Sequence, residues 1–241
     1  MRECYRIIKT IVLVHNEVAG IVYYYAMGDL SFSEEDFHEL CDALGKKDKH
    51  LRQIISDHGY PPLWSRPEGF ATLVHIILEQ QVSLASARAA YDKLREMIGV
   101  VTPKKVLALT DEELKACYFS RQKIVYVRDL AESILDGRVK LKRFHQLPNE
   151  EIRRELIAVK GIGHWTADVY LMMVMHRSDL FPMGDIALVN SAKVVKDLPK
   201  ETTKEEIEKL SLKWRPNRTV AAFLLWHAYI IRKNMKVAPY V

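Results

Sequence analysis

Beyond residue 31, hydrophobic residues recur at intervals of three and four positions, which is the period of an α-helix with one buried face. Segments 70–78, 167–175 and 219–231 are apolar almost all round, a pattern typical of helices buried at the centre of a protein. No internal repeat, low-complexity tract or long linker interrupts this part of the chain. The pattern therefore predicts an all-α fold for residues 31–241.

Polar residues with helix-capping chemistry mark where the predicted helices begin. Thr110 with Glu113, and Thr203 with Glu206, have the spacing of a capping box. Ser33 precedes three acidic residues, which suit the positive end of a helix dipole. Such signals, together with the hydrophobic period, predict helix starts near Phe70, Leu84, Pro103, Asp111, Arg121, Glu150, His164, Ile186, Lys204 and Asn217.

Composition changes this picture only slightly. The 241 residues are 49% hydrophobic and 28% charged, as is ordinary for a globular protein, and the net charge of +5 is compatible with a polyanionic partner. The three cysteines, Cys4, Cys41 and Cys117, are scattered without metal-ligand spacing. We therefore expect neither a disulfide framework nor a zinc site, and we expect a reducing compartment.

The first thirty residues do not predict a single structure. Residues 7–26 are rich in Ile, Val and Tyr, but the His-Asn-Glu of residues 15–17 interrupts them, and they lack a cleavage site of the signal-peptide type. A membrane-spanning helix needs about 20 continuous apolar residues, so we expect no membrane segment. Two short strands and one appended helix both remain open, and residues 1–30 are interpreted as an N-terminal extension of unknown role.

The segment most informative about function is a glycine hairpin followed by an aspartate. Residues 149–159 predict a short helix that Asn149 can cap. The Gly-Ile-Gly of residues 161–163 then allows a tight backbone reversal before a second helix begins at His164. Unpaired N–H groups at the start of that helix form an anion site that suits a nucleic-acid phosphate. Asp185 follows the second helix, directly after Phe-Pro-Met-Gly.

This arrangement resembles the helix-hairpin-helix DNA glycosylase superfamily, and in particular its alkylation-repair branch, the 3-methyladenine DNA glycosylase II family. The resemblance covers residues 40–232 and is carried by four stretches, at residues 78–83, 160–167, 181–188 and 214–218. It implies two helical lobes with a cleft between them. One lobe would comprise residues 31–84 with 181–241, and the other residues 85–180.

The resemblance also implies a partner and a setting. The partner would be double-stranded DNA containing alkylated bases, bound by a monomer with no membrane association. The location would be the cytoplasm of a bacterium or archaeon, or the nucleus of a eukaryote. No cofactor would be required and no metal would be bound by side chains, while a K⁺ or Na⁺ ion at the hairpin's backbone carbonyls remains open. The lack of a fourth cysteine excludes the iron–sulfur cluster that some superfamily members carry.

By this resemblance Asp185 is the catalytic residue. An ionised carboxylate stabilises the positive charge that develops on deoxyribose as an N-glycosidic bond breaks. The same carboxylate can orient or deprotonate the attacking water. Asp185 also suits the N-cap of a helix over residues 186–196, and the two roles can hold at once.

Trp165 stands where bifunctional members have a Schiff-base lysine, so the resemblance implies a monofunctional enzyme with water as the nucleophile. In the alkylation branch this tryptophan lines the pocket for the flipped base, with Trp226 as a second pocket aromatic and Gln80 near them. Electron-rich rings would stack on cationic alkylated purines. Core packing is the alternative role for both tryptophans.

The remaining site residues are expected to contact DNA. Gln81 matches the wedge that fills the gap left by a flipped base, and the alternative is a polar helix end facing water. Lys160, Gly161, Gly163 and His164 are expected to bind a phosphate, the two side chains adding positive charge to the backbone donors.

Three hypotheses about function follow. The first is a monofunctional DNA glycosylase for alkylated bases, and the second is a catalytically inactive helix-hairpin-helix module that only binds DNA. Asp185 discriminates between them, because an inactive module has no reason to keep a carboxylate there. The third is a basic helical protein-interaction domain, which predicts no salt-sensitive binding of DNA.

Overall fold

The structure of the chain is a computed structural model that describes residues 30–235. Within that range it contains twelve α-helices and no β-strand, which confirms the all-α prediction. In chain order the helices are α1 (Phe37–Lys47), α2 (Lys49–His58), α3 (Phe70–Glu79), α4 (Leu84–Ile98), α5 (Pro103–Ala108), α6 (Asp111–Ala116), α7 (Arg121–Leu135), α8 (Asn149–Ile157), α9 (His164–Met173), α10 (Ile186–Val195), α11 (Lys204–Ser211) and α12 (Arg218–Arg232). Short 3₁₀ helices span Leu141–Gln146 and Leu212–Trp214. The predicted N-terminal extension lies outside the described residues, apart from residue 30.

The two capping boxes in the sequence form as predicted. Thr110 and Thr203 each accept a hydrogen bond from the backbone N–H three residues further on. Glu113 and Glu206 reach back to the N–H of the cap residue, at 2.7 Å in both cases. The ten predicted helix starts each lie within one residue of an observed start. Local sequence therefore decides where these helices begin.

Two predicted capping interactions differ from the structure. Asn149 does not cap α8, because it is the first residue of the helix and its side chain is buried, while Pro148 stands at the N-cap position without a side-chain hydrogen bond. The signal at Ser33 opens a turn in which the Ser33 hydroxyl donates to the Asp36 carboxylate at 2.7 Å. The helix itself begins only at Phe37, after that turn is complete.

The hydrophobic pattern also missed the start of α2. Helix α1 ends at Lys47 and α2 begins at Lys49, with no glycine or proline between them to signal a break. The intervening Asp48 supplies the break, because its carboxylate accepts from His50 N at 3.0 Å and caps α2. Trp214 Nε1 donates to the same carboxylate at 2.9 Å, so Asp48 also ties the C-terminal part of the chain to α2.

The helices pack around three that are buried on nearly all faces, α3, α9 and α12, as the sequence pattern predicted. Helix α12 packs against α1, α2 and α10, and α11 packs against α10. Helix α3 packs against α4, α7 and α9, while α5 and α6 pack against α7 and α8 packs against α9. The lobe boundaries at residues 84 and 180 stay a prediction. Helix α3, in the first predicted lobe, packs against α4, α7 and α9, which lie in the second.

The segment that leads to Asp185 is fastened to the start of α12. Arg218 donates to both carboxylate oxygens of Asp179, at 2.6 and 3.0 Å, and Asp179 is buried. The buried Thr219 hydroxyl accepts from Leu180 N at 3.1 Å. These contacts anchor residues 179–180 against the start of α12 and set the direction in which the chain runs on to Asp185.

Candidate functional site

The hairpin of residues 161–163 joins α8 to α9, and geometry requires its first glycine. Gly161 has a φ of +83°, in the left-handed region that residues with a side chain rarely adopt. A Cβ on Gly161 would lie 2.1 Å from Cγ of Tyr126, so the Tyr126 ring packs directly against the glycine backbone. No side chain fits at position 161 while Tyr126 keeps its place.

The shape of the hairpin does not require the second glycine, which corrects the expectation that both glycines permit the reversal. Gly163 has φ −103° and ψ −179°, an extended conformation that any residue adopts. A Cβ at Gly163 would meet nothing within 4 Å. The space in front of Gly163 is therefore open to an approaching ligand.

Two residues of helix α7 contact the hairpin and support it. The Asp129 carboxylate accepts a hydrogen bond from Lys160 N at 2.7 Å, and the Tyr126 ring supports Gly161. Neither Tyr126 nor Asp129 was predicted to contact the hairpin. Asp129 and Lys160 lie 31 positions apart, and nothing in the local pattern of either residue signals the contact.

The N-terminus of α9 presents backbone donors toward solvent. Gly163 is the N-cap and has no side chain, so α9 begins without a side-chain cap. Lys160, Gly163 and His164 are exposed. An anion can replace the missing cap and is favoured there by the helix dipole. Phosphate binding by Lys160, Gly161, Gly163 and His164 fits this geometry and stays a prediction.

Two hydrogen-bond donors hold the Asp185 carboxylate, one from the same helix start and one from 20 positions earlier in the chain. Oδ1 accepts from Leu188 N at 2.8 Å, so Asp185 is the N-cap of α10, as predicted. Oδ2 accepts from Trp165 Nε1 at 3.0 Å. The structure thus brings together two residues that the sequence analysis had singled out separately. Both are half-buried, and the cap and the indole together fix the orientation of the carboxylate.

The loop before Asp185 packs on Trp165. A Cβ on Gly184 would lie 3.3 Å from Cβ of Trp165, so a glycine at this position lets the loop approach the tryptophan closely. Asp185 N donates to Pro182 O at 2.9 Å and closes a tight turn. The turn positions the carboxylate beside the indole.

Trp226 lies in an aromatic cluster. Its ring stacks on Phe223 with centroids 5.8 Å apart and meets Trp64 edge to face at 6.4 Å. It is 8% exposed. These contacts support the alternative that Trp226 packs in the core. Its role in a base pocket stays a prediction. Trp64 was not singled out from the sequence.

The loop between α3 and α4 carries Gln80 and Gln81. The Gln80 amide donates to Gly161 O and to the Thr166 hydroxyl, both at 2.9 Å, which leaves its carbonyl oxygen for any contact with a base. Gln81 is exposed and has a φ of +58°. Val82, which follows, is 45% exposed and was not considered from the sequence. The geometry suits a wedge at Gln81, and that role stays a prediction.

Buried charges fix the end of α3 beneath this loop. Arg66 Nη2 donates to both carboxylate oxygens of Glu79, at 2.9 and 3.0 Å. Burial lowers the pKa of the neighbouring His75 to about 4, so this imidazole is neutral at neutral pH. Burial also lowers the pKa of Lys123, whose ammonium donates to Leu78 O.

Residues 30–235 contain no group of three or more His, Cys, Asp or Glu side chains arranged to hold a metal ion. Cys41 and Cys117 are buried as free thiols. No helix in this range has the length and apolar character needed to cross a membrane.

Residues 74–217 match the family described as HhH-GPD superfamily base excision DNA repair protein. The chain belongs to this superfamily. The match spans the Gln80 loop, the hairpin, Trp165 and Asp185, while Trp226 lies beyond it. The resemblance inferred from the sequence is therefore confirmed.

Relatives of this HhH-GPD protein carry names from the alkylation branch. The chain is 29% identical over 196 residues to DNA-3-methyladenine glycosylase 1 of Schizosaccharomyces pombe, covering 80% of this chain and 83% of the relative. Its structure is similar to that of the Schizosaccharomyces pombe 3-methyladenine DNA glycosylase in complex with abasic DNA, with a TM-score of 0.73, 27% identity, and coverage of 84% and 99% of the two chains. It is also similar to a DNA-3-methyladenine glycosidase from Bacillus halodurans, with a TM-score of 0.69, 28% identity, and coverage of 86% and 94%.

Proposed function

We propose that this protein is a monofunctional DNA glycosylase that hydrolyses the N-glycosidic bond of alkylated bases, such as 3-methyladenine and 7-methylguanine, in duplex DNA during base excision repair. The observation that carries the proposal is the Asp185 carboxylate, held between Leu188 N and Trp165 Nε1. The relatives named as DNA-3-methyladenine glycosylases support it.

Asp185 supplies the negative charge that the reaction needs. Departure of the base leaves positive charge on the deoxyribose, and a preorganised carboxylate stabilises that charge without first reorienting. A carboxylate has about four lone-pair sites, so Asp185 can also orient the attacking water while it keeps both observed donors. Capping and catalysis are therefore compatible in one side chain.

The indole of Trp165 is assigned to the base pocket. Its N–H bonds Asp185, which fixes the ring beside the carboxylate, and a ring in that position can stack on the flipped base. Cationic alkylated purines gain from stacking on an electron-rich ring, and they are good leaving groups. Trp226 and the carbonyl oxygen of Gln80 are proposed as further walls of this pocket.

The hairpin is proposed to grip a backbone phosphate through Lys160, Gly161, Gly163 and His164, while Gln81 fills the space of the flipped base. The carbonyl oxygen of Gly161 accepts one hydrogen bond and keeps a second lone pair, so hairpin carbonyls remain able to bind K⁺ or Na⁺ next to that phosphate. No cofactor is required for the chemistry.

The proposed partner is double-stranded DNA containing alkylated bases, bound by a monomer. The net charge of +5 favours attraction to that polyanion. The proposed location is the cytoplasm in a bacterium or archaeon, or the nucleus in a eukaryote.

The protein is expected to release free base from methylated duplex DNA and to leave the abasic strand uncut. Because Trp165 replaces the Schiff-base lysine, borohydride added during the reaction should trap no protein–DNA adduct. Free base is measured by chromatography, and strand integrity on denaturing gels without heat or alkali. A trapped species or a nicked strand would contradict a monofunctional enzyme, and binding without base release would favour the inactive DNA-binding module.

Truncating Trp165 to leucine is expected to lower the release of cationic 7-methylguanine more than that of neutral hypoxanthine. Cation–π stacking in a desolvated site contributes about 2 kcal/mol, which corresponds to roughly thirtyfold in rate. Single-turnover rates on both lesions measure the difference.

The matched control for stacking is Trp165→Phe, which keeps a ring and loses the N–H donor to Asp185, so both lesions should slow alike. Equal losses on the two lesions in the leucine variant would mean that the Trp165 ring only shapes the cavity.

For Trp226→Leu we expect a clear fall in melting temperature as well, because the Trp226 ring packs in the aromatic cluster.

A further inference from the structure

Gln80 links the phosphate-binding hairpin to the loop that carries Gln81. Its amide nitrogen has two hydrogens and two acceptors at 2.9 Å, the carbonyl of Gly161 in the hairpin and the hydroxyl of Thr166 in α9. Thr166 is 1% exposed, so its hydroxyl is a fixed partner. The Gln80 side chain thus connects the end of α3 to Gly161, before Gly163 in the chain, and to Thr166, after it.

Helix α7 connects the same two elements by a second route. The Lys123 ammonium donates to Leu78 O near the end of α3, and Asp129 accepts from Lys160 N at 2.7 Å at the start of the hairpin. The two α7 residues are six positions apart, which on a helix is about 9 Å. Because a helix is stiff over that length, α7 holds the end of α3 and the hairpin at a set separation.

The Gln80 contacts and the α7 contacts together form a closed circuit of connections between the end of α3 and the hairpin. Gln81 is the next residue in the chain after Gln80. Gln81 has a φ of +58°, a conformation that residues other than glycine rarely adopt without support from their surroundings. Its side chain is exposed, whereas the residue before it is tied to Gly161 and Thr166. The direction in which Gln81 projects is therefore set relative to the hairpin.

We propose that Gln80 is a positioning residue that couples the hairpin's grip on a phosphate to the placement of Gln81 in the base stack. A phosphate held at the hairpin then determines which nucleotide Gln81 faces, because the distance between the two is fixed by the circuit. This inference rests on the proposed function in one respect, that Gln81 enters DNA.

The test combines Gln80→Met, which keeps the length of the side chain and removes both hydrogen bonds, with Gln81→Ala and the double variant. Gln80→Met should bind undamaged duplex within about twofold of wild type and release base about tenfold more slowly in single turnovers. If Gln80 acts through Gln81, the double variant should be no slower than Gln81→Ala alone. Gln80→Met also removes the carbonyl oxygen proposed for the base pocket, and the Thr166 variants below, which keep that oxygen, separate the two roles. Multiplied losses in the double variant would overturn the coupling and leave Gln80 as a pocket residue only.

Two further variants separate the hydrogen bonds from general packing. Thr166→Val removes one acceptor at nearly constant volume and should slow base release in the same direction as Gln80→Met, whereas Thr166→Ser keeps the hydroxyl and should stay near wild type. Gln53→Met on α2, which removes an exposed amide bond to Asp57, is the control for the substitution itself. A wild-type rate for Thr166→Val, or a Thr166→Ser variant as slow as Thr166→Val, would overturn the assignment.

Amide hydrogen exchange in the free protein tests the coupling without any catalysis. Gln80→Met should speed exchange in residues 80–83 and in residues 160–166 together, because each segment loses its anchor on the other. Unchanged exchange in either segment would overturn the coupling. If the wild-type protein releases no base, the proposed function fails, and the exchange result still decides whether the circuit holds the two elements together.

Discussion

Asp185→Asn is expected to abolish base release, a loss on the order of 10³-fold in the single-turnover rate. The variant loses the charge that stabilises the sugar cation, because an amide is neutral. Its oxygen can still accept from Leu188 N, so the cap of α10 and the stability of the fold should survive. Affinity for duplex DNA should be unchanged or higher, since a negative charge near the phosphates has gone.

The matched control is Asp185→Ser, another good N-cap that lacks a carboxylate, and it should lose activity to a similar degree. Melting temperatures of both variants and their affinities for an uncleaved duplex are measured beside the rates. If either variant kept the wild-type rate, Asp185 would be a helix cap only and the mechanism would fail.

Gly163→Val is expected to weaken binding to all duplex sequences alike, by at least about tenfold, and to reduce the slope of log affinity against log salt by roughly one phosphate contact. The branched side chain would occupy the open space in front of the α9 N-terminus, where the phosphate is proposed to bind. The extended backbone at Gly163 accepts valine without strain, so the fold should remain intact. Fluorescence anisotropy with damaged and undamaged duplexes at several salt concentrations measures the effect.

Gly161→Ala is the matched contrast, because the two glycines differ in what they do. A Cβ there meets the Tyr126 ring at a positive φ, and the free energy of unfolding should fall by about 2–5 kcal/mol from strain and overpacking. Denaturant unfolding of both variants separates a folding role from a binding role. A loss at Gly163 confined to damaged DNA would move that residue from the phosphate contact to the lesion pocket.

Local sequence was enough to predict the helical fold and most helix starts. The capping box of Thr110 and Glu113 forms because both partners lie within one turn, so folding elsewhere in the chain is not needed to bring them together. The burial of α3, α9 and α12 was also predictable, because helices that are apolar on nearly all faces are buried. The order of hairpin, helix and aspartate, together with the four stretches that carry the resemblance, was sufficient to predict the superfamily and its alkylation branch.

Tertiary structure decided how the candidate site is held together. The bond from Trp165 to Asp185, the grip of Gln80 on Gly161, and the support of the hairpin by Asp129 join residues 20, 81 and 31 positions apart. An amide, an indole or a carboxylate looks the same in sequence whether its partner is water or a distant backbone group. The packing of the helices determines which partner each of them meets.

The two glycines of the hairpin show the same difference between what the sequence determines and what the tertiary structure decides. Sequence alone treats Gly161 and Gly163 as one motif, because both lack a Cβ. The structure separates them, since one has a positive φ against the Tyr126 ring and the other has an ordinary backbone facing open space. Sequence thus determined that a hairpin forms here, while the approach of α7 decided which glycine the fold requires and which one leaves room for a ligand.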